Sequence, residues 1–122
     1  MKLFTSVVFL LLLSICIGSA QNYNMSNGNV VTCSGNFFDS GGSAGTYGNN
    51  QTLVFTICPS TPGGRVQVNF TSFNIENSWD FLTVFDGNSV AAPSLGTYTG
   101  TIGPGISQAT LGNASGCLTF RF

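Results

Sequence analysis

The sequence predicts an all-β protein, an antiparallel β-sandwich of the jelly-roll kind. Three observations predict it. Apolar and polar residues alternate in several short segments, the period that half-buried strands require. Pro-Gly, Asp-Gly and Gly-Pro-Gly clusters separate those segments, and no window between them carries the 3.6-residue stripe of an amphipathic helix. Finally, eleven phenylalanines stand in a chain of 122 residues with only seven charged ones. That is enough apolar mass for one modest core, so the many Asn, Gly, Ser and Thr do not signal disorder.

The first twenty residues stand apart from this domain. Lys2 precedes the apolar run LFTSVVFLLLLSICI, and Gly18, Ser19 and Ala20 follow it as small residues before Gln21. That order is a secretory signal peptide, and the run is short for a spanning helix. The expectation is an exported protein, secreted or at the cell surface, with no membrane attachment of its own after cleavage. Residues 21–29 (QNYNMSNGN) read as a flexible polar leader, and residues 30–122 as one β-sandwich domain.

Within the domain, RVQVNF points Val66, Val68 and Phe70 one way and Arg65, Gln67 and Asn69 the other. LTFRF repeats the pattern, with Leu118, Phe120 and Phe122 inward and Thr119 and Arg121 outward. TLVFTI (52–57) and FLTVF (81–85) are more continuously apolar and read as central strands. NVVT (29–32), LGTY (95–98) and ISQATL (106–111) are weaker strand candidates. PGG (62–64), DGN (86–88) and GPG (103–105) supply the turns.

Charge and residue types exclude several functions. Without the first twenty residues, Arg65 and Arg121 stand against Asp39, Glu76, Asp80 and Asp86, a net charge of −2. No basic patch remains, so neither nucleic acid nor an anionic membrane is an expected partner. The chain has no His, and its one Lys lies in the signal segment, so the usual bases of nucleophilic catalysis are missing. Glu76 and Asp80 could act on a glycosidic bond only in a deep cleft, which nothing in so short a chain announces. The expectation is a non-enzymatic binding module.

Three of the four acidic residues fall within IENSWDFLTVFDG, residues 75–87. Asp86, after a strand and before Gly87, reads as an Asp-Gly hairpin turn. Glu76 and Asp80 read either as loop solvation or as a partial cage for calcium, a hard cation that takes several oxygen ligands. Trp79 stands between them, the only Trp, and is either a core anchor or an exposed binding aromatic. With Tyr47 and Tyr98 it could form stacking platforms for a glycan, which makes a carbohydrate-binding module the alternative function. Cys33 and Cys58 enclose a Gly-rich loop and one strand, and pairing them would remove loop entropy worth roughly 3–4 kcal/mol. Free or metal-binding thiols are the alternative. With no CxxC spacing and no His, the expectation is a Cys33–Cys58 disulfide. Cys117 is then left without a mate. Four N-x-S/T sequons occur, at Asn24, Asn50, Asn69 and Asn113.

From Cys33 to Phe122 the order of the pieces resembles the CUB domain, an extracellular jelly-roll sandwich. The pieces are CSGNFFDSGG…TYGNN, LVFTICPSTPGGRVQVNFTSFNIE, WDFLTVFDGNS, LGTYTG and GCLTFRF. Many CUB domains hold calcium through a Tyr, a Glu and an Asp ahead of the Asp-Gly turn, completed by a later Asp. The resemblance implies that Glu76 and Asp80 are calcium ligands, that Tyr47 orients Glu76, and that the loop presents acidic groups to a basic side chain of an extracellular protein partner. The loop from Glu76 to Asp80 is shorter than in animal members and lacks their second disulfide. The family pattern also runs on into a Ser-Asp turn and a final strand. The resemblance therefore implies an incomplete domain from a larger protein. The last carboxylate and a Cys to pair with Cys117 would be missing, and the strand ending at Phe122 would lack a neighbour.

Overall fold

The structure is a computed structural model that describes Cys16 and residues 20–122; apart from Cys16 and Ala20, the expected signal peptide lies outside the described residues. Nine strands follow in order: β1 (Asn22–Asn24), β2 (Gly28–Thr32), β3 (Asn36–Phe38), β4 (Val54–Pro59), β5 (Gln67–Asn69), β6 (Leu82–Phe85), β7 (Ser94–Tyr98), β8 (Ile106–Gln108) and β9 (Leu118–Arg121). One 3-10 turn, Gly42–Ala44, follows β3. Among the described residues no helix is long and apolar enough to cross a membrane.

One layer of the sandwich is a five-stranded sheet in the order β2-β4-β9-β6-β7. The other consists of two separate pairs, β1-β3 and β5-β8. Phe55, Ile57, Leu82, Val84, Leu118 and Phe120 bury one face of the large sheet, and Met25, Phe37, Val68 and Phe70 pack onto it from the other layer. Register explains why this core is continuous: Phe120 lies opposite Phe55 on one side and Val84 on the other. Their side chains share a row and a face, as directly paired residues must. Phe120, Leu118 and Val84 are wholly buried.

The all-β sandwich and its main strands agree with the expectation, and the differences have physical causes. Residues 22–24, within the expected flexible leader, pair with β3, and Met25 is buried in the core. Two ladders, β1–β3 and β2–β4, are parallel. The chain alternates between layers through its first four strands, so strands that share a layer are separated by a return pass and run the same way. The strand ending at Phe122 was expected to lack a neighbour, yet β9 is paired on both sides, with β4 and β6. Thr119, expected outward, does face away from the core but is wholly buried. Its hydroxyl lies 2.9 Å from that of Thr56 and donates to the Gly87 carbonyl at 2.9 Å.

The Cys33–Cys58 disulfide is corrected. Cys58 is joined to Cys117, their Cα atoms 4.2 Å apart, while the Cα of Cys33 lies 6.1 Å from that of Cys16, inside the expected signal segment. The register decides this. Ile57 pairs with Leu118, which sets Cys117 directly across from Cys58, whereas the parallel ladder sets Val31, not Cys33, beside Cys58. The close Cα approach is that of a non-hydrogen-bonded antiparallel pair. Gly116, with φ 65°, turns the chain into this position where a side chain would collide with the Gly64 carbonyl.

Opening the Cys58–Cys117 bond frees a loop of 59 residues, which in the chain-entropy picture removes about 4 kcal/mol. Cys58→Ser or Cys117→Ser is expected to lower the melting midpoint by roughly 15 °C or more. Non-reducing peptide mapping should return a Cys58–Cys117 fragment; a Cys33–Cys58 fragment would overturn the pairing.

Candidate functional site

The acidic stretch is divided by β6. Glu76 and Asp80 lie before the strand and Asp86 after it, so at about 3.3 Å per residue the two ends are on the order of 15–20 Å apart. They do different things.

Before β6, the Asp80 N–H donates to the Glu76 carbonyl at 3.0 Å and the Trp79 N–H to the same oxygen at 3.4 Å, closing a single turn. Ser78 sits in it with φ 66°, a left-handed conformation that strains a residue carrying a Cβ and persists only where neighbours enforce it. Thr99 is one enforcer, its hydroxyl accepting the Ser78 N–H at 2.9 Å and donating to the Glu76 carbonyl at 3.4 Å. The Ile75 N–H, bonded to the Gly100 carbonyl at 3.0 Å, ties the same loop to the end of β7.

Tyr47 is the second enforcer. Its hydroxyl donates to Asp80 Oδ2 at 2.7 Å and accepts the Glu76 N–H at 2.9 Å. Its ring packs edge-on against Phe122, with centroids 4.9 Å apart. The hydrogen bond to Asp80, then partial burial, push the Tyr47 hydroxyl above its ordinary pKa, so it remains a donor across the neutral range. Tyr47 therefore holds the Asp80 carboxylate and bonds Glu76 through its backbone N–H, whereas the family resemblance implied that it orients Glu76. Glu76 itself is exposed.

Trp79 is 79% exposed, which removes the core-anchor reading and leaves a large apolar surface between the two acidic residues. Tyr98 is half-buried against the core, so it is not a platform beside Trp79. Among the described residues no group of three or more His, Cys, Asp or Glu side chains gathers around a point that could hold a metal. Glu76 and Asp80 are the right donors for calcium in kind, hard oxygens. They are short in number, so backbone carbonyls and water would have to complete a coordination shell of six to eight.

Beyond β6, Asp86 is a latch and not a hairpin turn. The connection to β7 runs through residues 86–93, and the Asp86 carboxylate reaches across to the β8–β9 loop. It accepts the Thr110 N–H at 3.0 Å, the Thr110 hydroxyl at 2.6 Å and the Asn113 amide at 2.8 Å. Partial desolvation alone would raise its pKa, but the bonds from Thr110 and Asn113 outweigh it and hold the carboxyl below its ordinary value. Asn113 also donates to the Cys117 carbonyl at 2.8 Å, so this sequon's amide is committed inside the fold. Nothing in the sequence near Asp86 signalled these partners, which lie 24 and 27 residues away.

With this geometry in view, the comparisons with known proteins are informative. The profile of the CUB domain family matches residues 26–115. The chain belongs to that family, whose members are binding modules of extracellular proteins. Cubilin of Homo sapiens is 31% identical over 107 residues, 84% of this chain and 3% of cubilin. Cubilin of Rattus norvegicus is 33% identical over 93 residues, 68% of this chain and 2% of that protein. The chain thus spans only a few per cent of the length of the curated relatives it matches.

A carboxyl held below its unfolded pKa stabilises the fold above that value, near 3.9, and ceases to do so as pH falls through the folded value. Asp86→Ala is expected to cost roughly 2 kcal/mol at pH 7. The gap in melting midpoint from the parent chain should narrow below about pH 4. A gap just as wide at pH 3 would show that the latch does not depend on the carboxylate charge.

Proposed function

We propose that this chain is an exported, non-catalytic recognition module that binds an extracellular protein through the loop from Glu76 to Asp80. The observation that carries the reading is the Tyr47 hydroxyl, which grips the Asp80 carboxylate and the Glu76 backbone together. A loop meant only to be solvated has no need of a strained Ser78 held by two clamps. Glu76 and Asp80 would hold calcium with carbonyls and water, and the bound ion would supply charge that fixes both carboxylates in one orientation. Asp80, aimed by Tyr47, then offers an oxygen to a Lys or Arg of the partner while Trp79 covers the apolar stem of that side chain. The Cys58–Cys117 bond suits an oxidising compartment, and secretion or display at the cell surface fits the family.

The lone tryptophan makes the test direct, because its emission reports only on this loop. Calcium at a hundredfold over its dissociation constant adds about 2.7 kcal/mol, so the melting midpoint should rise by roughly 10 °C and Trp79 emission should shift. Asp80→Asn should abolish both effects, and Tyr47→Phe should weaken calcium binding without unfolding the chain. Short Lys-rich peptides should then bind only with calcium present. No response to calcium would sink the metal reading. Binding to a glycan array that is lost on Trp79→Ala would favour the carbohydrate-binding module instead.

A further inference from the structure

At the entry to β1, Gln21 and Tyr23 share a hydrogen bond, and Gln21 is the residue that export would leave first in the chain. Gly18, Ser19 and Ala20 precede it, so cleavage after these small residues would make Gln21 the amino terminus. Gln21 is exposed, and its carbonyl accepts the Asn36 N–H at 2.8 Å, which fixes its backbone beside β3. Its side-chain Oε1 accepts the Tyr23 hydroxyl at 2.9 Å. Extended backbone puts residues two apart on one face, so the two side chains stand together. Gly35 makes room for the pair, since a Cβ there would stand 2.5 Å from the Tyr23 ring and 2.7 Å from the Gln21 carbonyl.

The Tyr23 hydroxyl also lies 3.0 Å from Thr32 Oγ1, whose own proton goes to the Ser34 carbonyl at 2.8 Å. Toward Tyr23, Thr32 can therefore only accept. The single Tyr23 proton is shared between Thr32 Oγ1 and Gln21 Oε1, and negative charge on Oε1 draws it there. The Tyr23 ring is half-buried against the core, so this donor is held in place and need not be recruited from water. A donor set in position before charge develops lowers the barrier to attack on a carbonyl. In the uncut chain the Gln21 nitrogen is bound to Ala20 in a peptide bond and cannot attack. Cleavage turns it into an α-amine, whose ordinary pKa of about 8 leaves a reactive unprotonated fraction at neutral pH.

We propose that Gln21, once released from Ala20, closes on itself to a pyroglutamyl lactam, with the Tyr23 hydroxyl stabilising the oxyanion on the way. The α-amine nitrogen attacks Cδ and forms a new C–N bond, while negative charge builds on Oε1 beside the Tyr23 hydroxyl. A proton passes from the α-nitrogen to Nε2, the Cδ–Nε2 bond breaks, and ammonia leaves into solvent. Nothing is oxidised and no co-reactant enters. Nucleophile and electrophile belong to one residue, so closure needs no encounter. The lactam keeps Oε1 as an acceptor for Tyr23 and the Gln21 carbonyl as an acceptor for Asn36. It lacks the α-ammonium by which aminopeptidases grip a chain, and β1 begins only one residue further on, with Met25 already in the core. The inference rests on the export reading and is independent of the acidic loop and of calcium.

Two measurements test it. Secreted with residues 1–20 in place, the chain should reach the mass of residues 21–122, disulfides counted, less one ammonia. It should resist Edman degradation and become readable from Asn22 after treatment with pyroglutamyl aminopeptidase. A mass that keeps the ammonia through long incubation at neutral pH would overturn the proposal and leave export standing. A chain that keeps residues 1–20 would overturn both, and a mature chain that begins at any other residue would overturn the proposal alone. The role of Tyr23 is timed on a chain with a protease site in place of residues 1–20, cut so that Gln21 comes first. The folded chain should lose ammonia about tenfold faster than the same chain in urea, and Tyr23→Phe should remove that advantage with little change in the melt. Equal rates in the folded and unfolded chain, or an undiminished rate in the Tyr23 variant, would sink it.

Discussion

The structure hangs on the placement of β9 between β4 and β6. Without it the large sheet would fall into two pairs, β2-β4 and β6-β7, neither of which could bury a face alone. Its central residue, Phe120, belongs both to the row with Phe55 and Val84 and to the stack under Phe37 and Phe70, so one side chain joins the layers. The Cys58–Cys117 bond fixes the start of β9 against β4. Just past its end, Phe122 exchanges backbone bonds with Leu53 and receives the Tyr47 ring. The order of dependence runs from the core outward: β9 holds Phe122, Phe122 seats Tyr47, and Tyr47 aims Asp80. Calcium and partner chemistry at the loop would therefore report on the integrity of the sheet as much as on the acidic residues themselves.

The sequence made the half-buried strands legible because burial on one face writes a period of two, as in β5 and β9. It did not reveal β1 and β3. NYN and NFF are three residues each, too short to show a period, and their partners are set by the layer crossing and not by local propensity. The parallel ladders were hidden for the same reason. Cysteine pairing depends on register, a property of two strands together, and so the choice among Cys33, Cys58 and Cys117 could not be made from spacing.

The candidate site was legible in composition more than in role. A concentration of carboxylates in a chain with so little charge marked residues 75–87, and two of the three do share one loop. What separated Asp86 from them is a set of contacts with Thr110 and Asn113, which no local pattern announces. Trp79 could be read either way from sequence because a lone aromatic in a polar loop suits both a core and a surface. In the fold its side chain is exposed, outside the core.

The 59-residue separation of Cys58 and Cys117 also sets an order in time. A ribosome adding 5–20 residues per second needs about 3–12 s to cover that distance, and until then β4 has only β2 beside it. Its apolar face and its thiol must wait, with Cys33 the nearer sulfur along the chain. The central strand of the sheet is the last of the nine described strands to be synthesised, so the nascent chain passes through a stage in which the Cys58 thiol has no native partner. The demand on oxidative folding therefore falls on the seconds before Leu118 emerges.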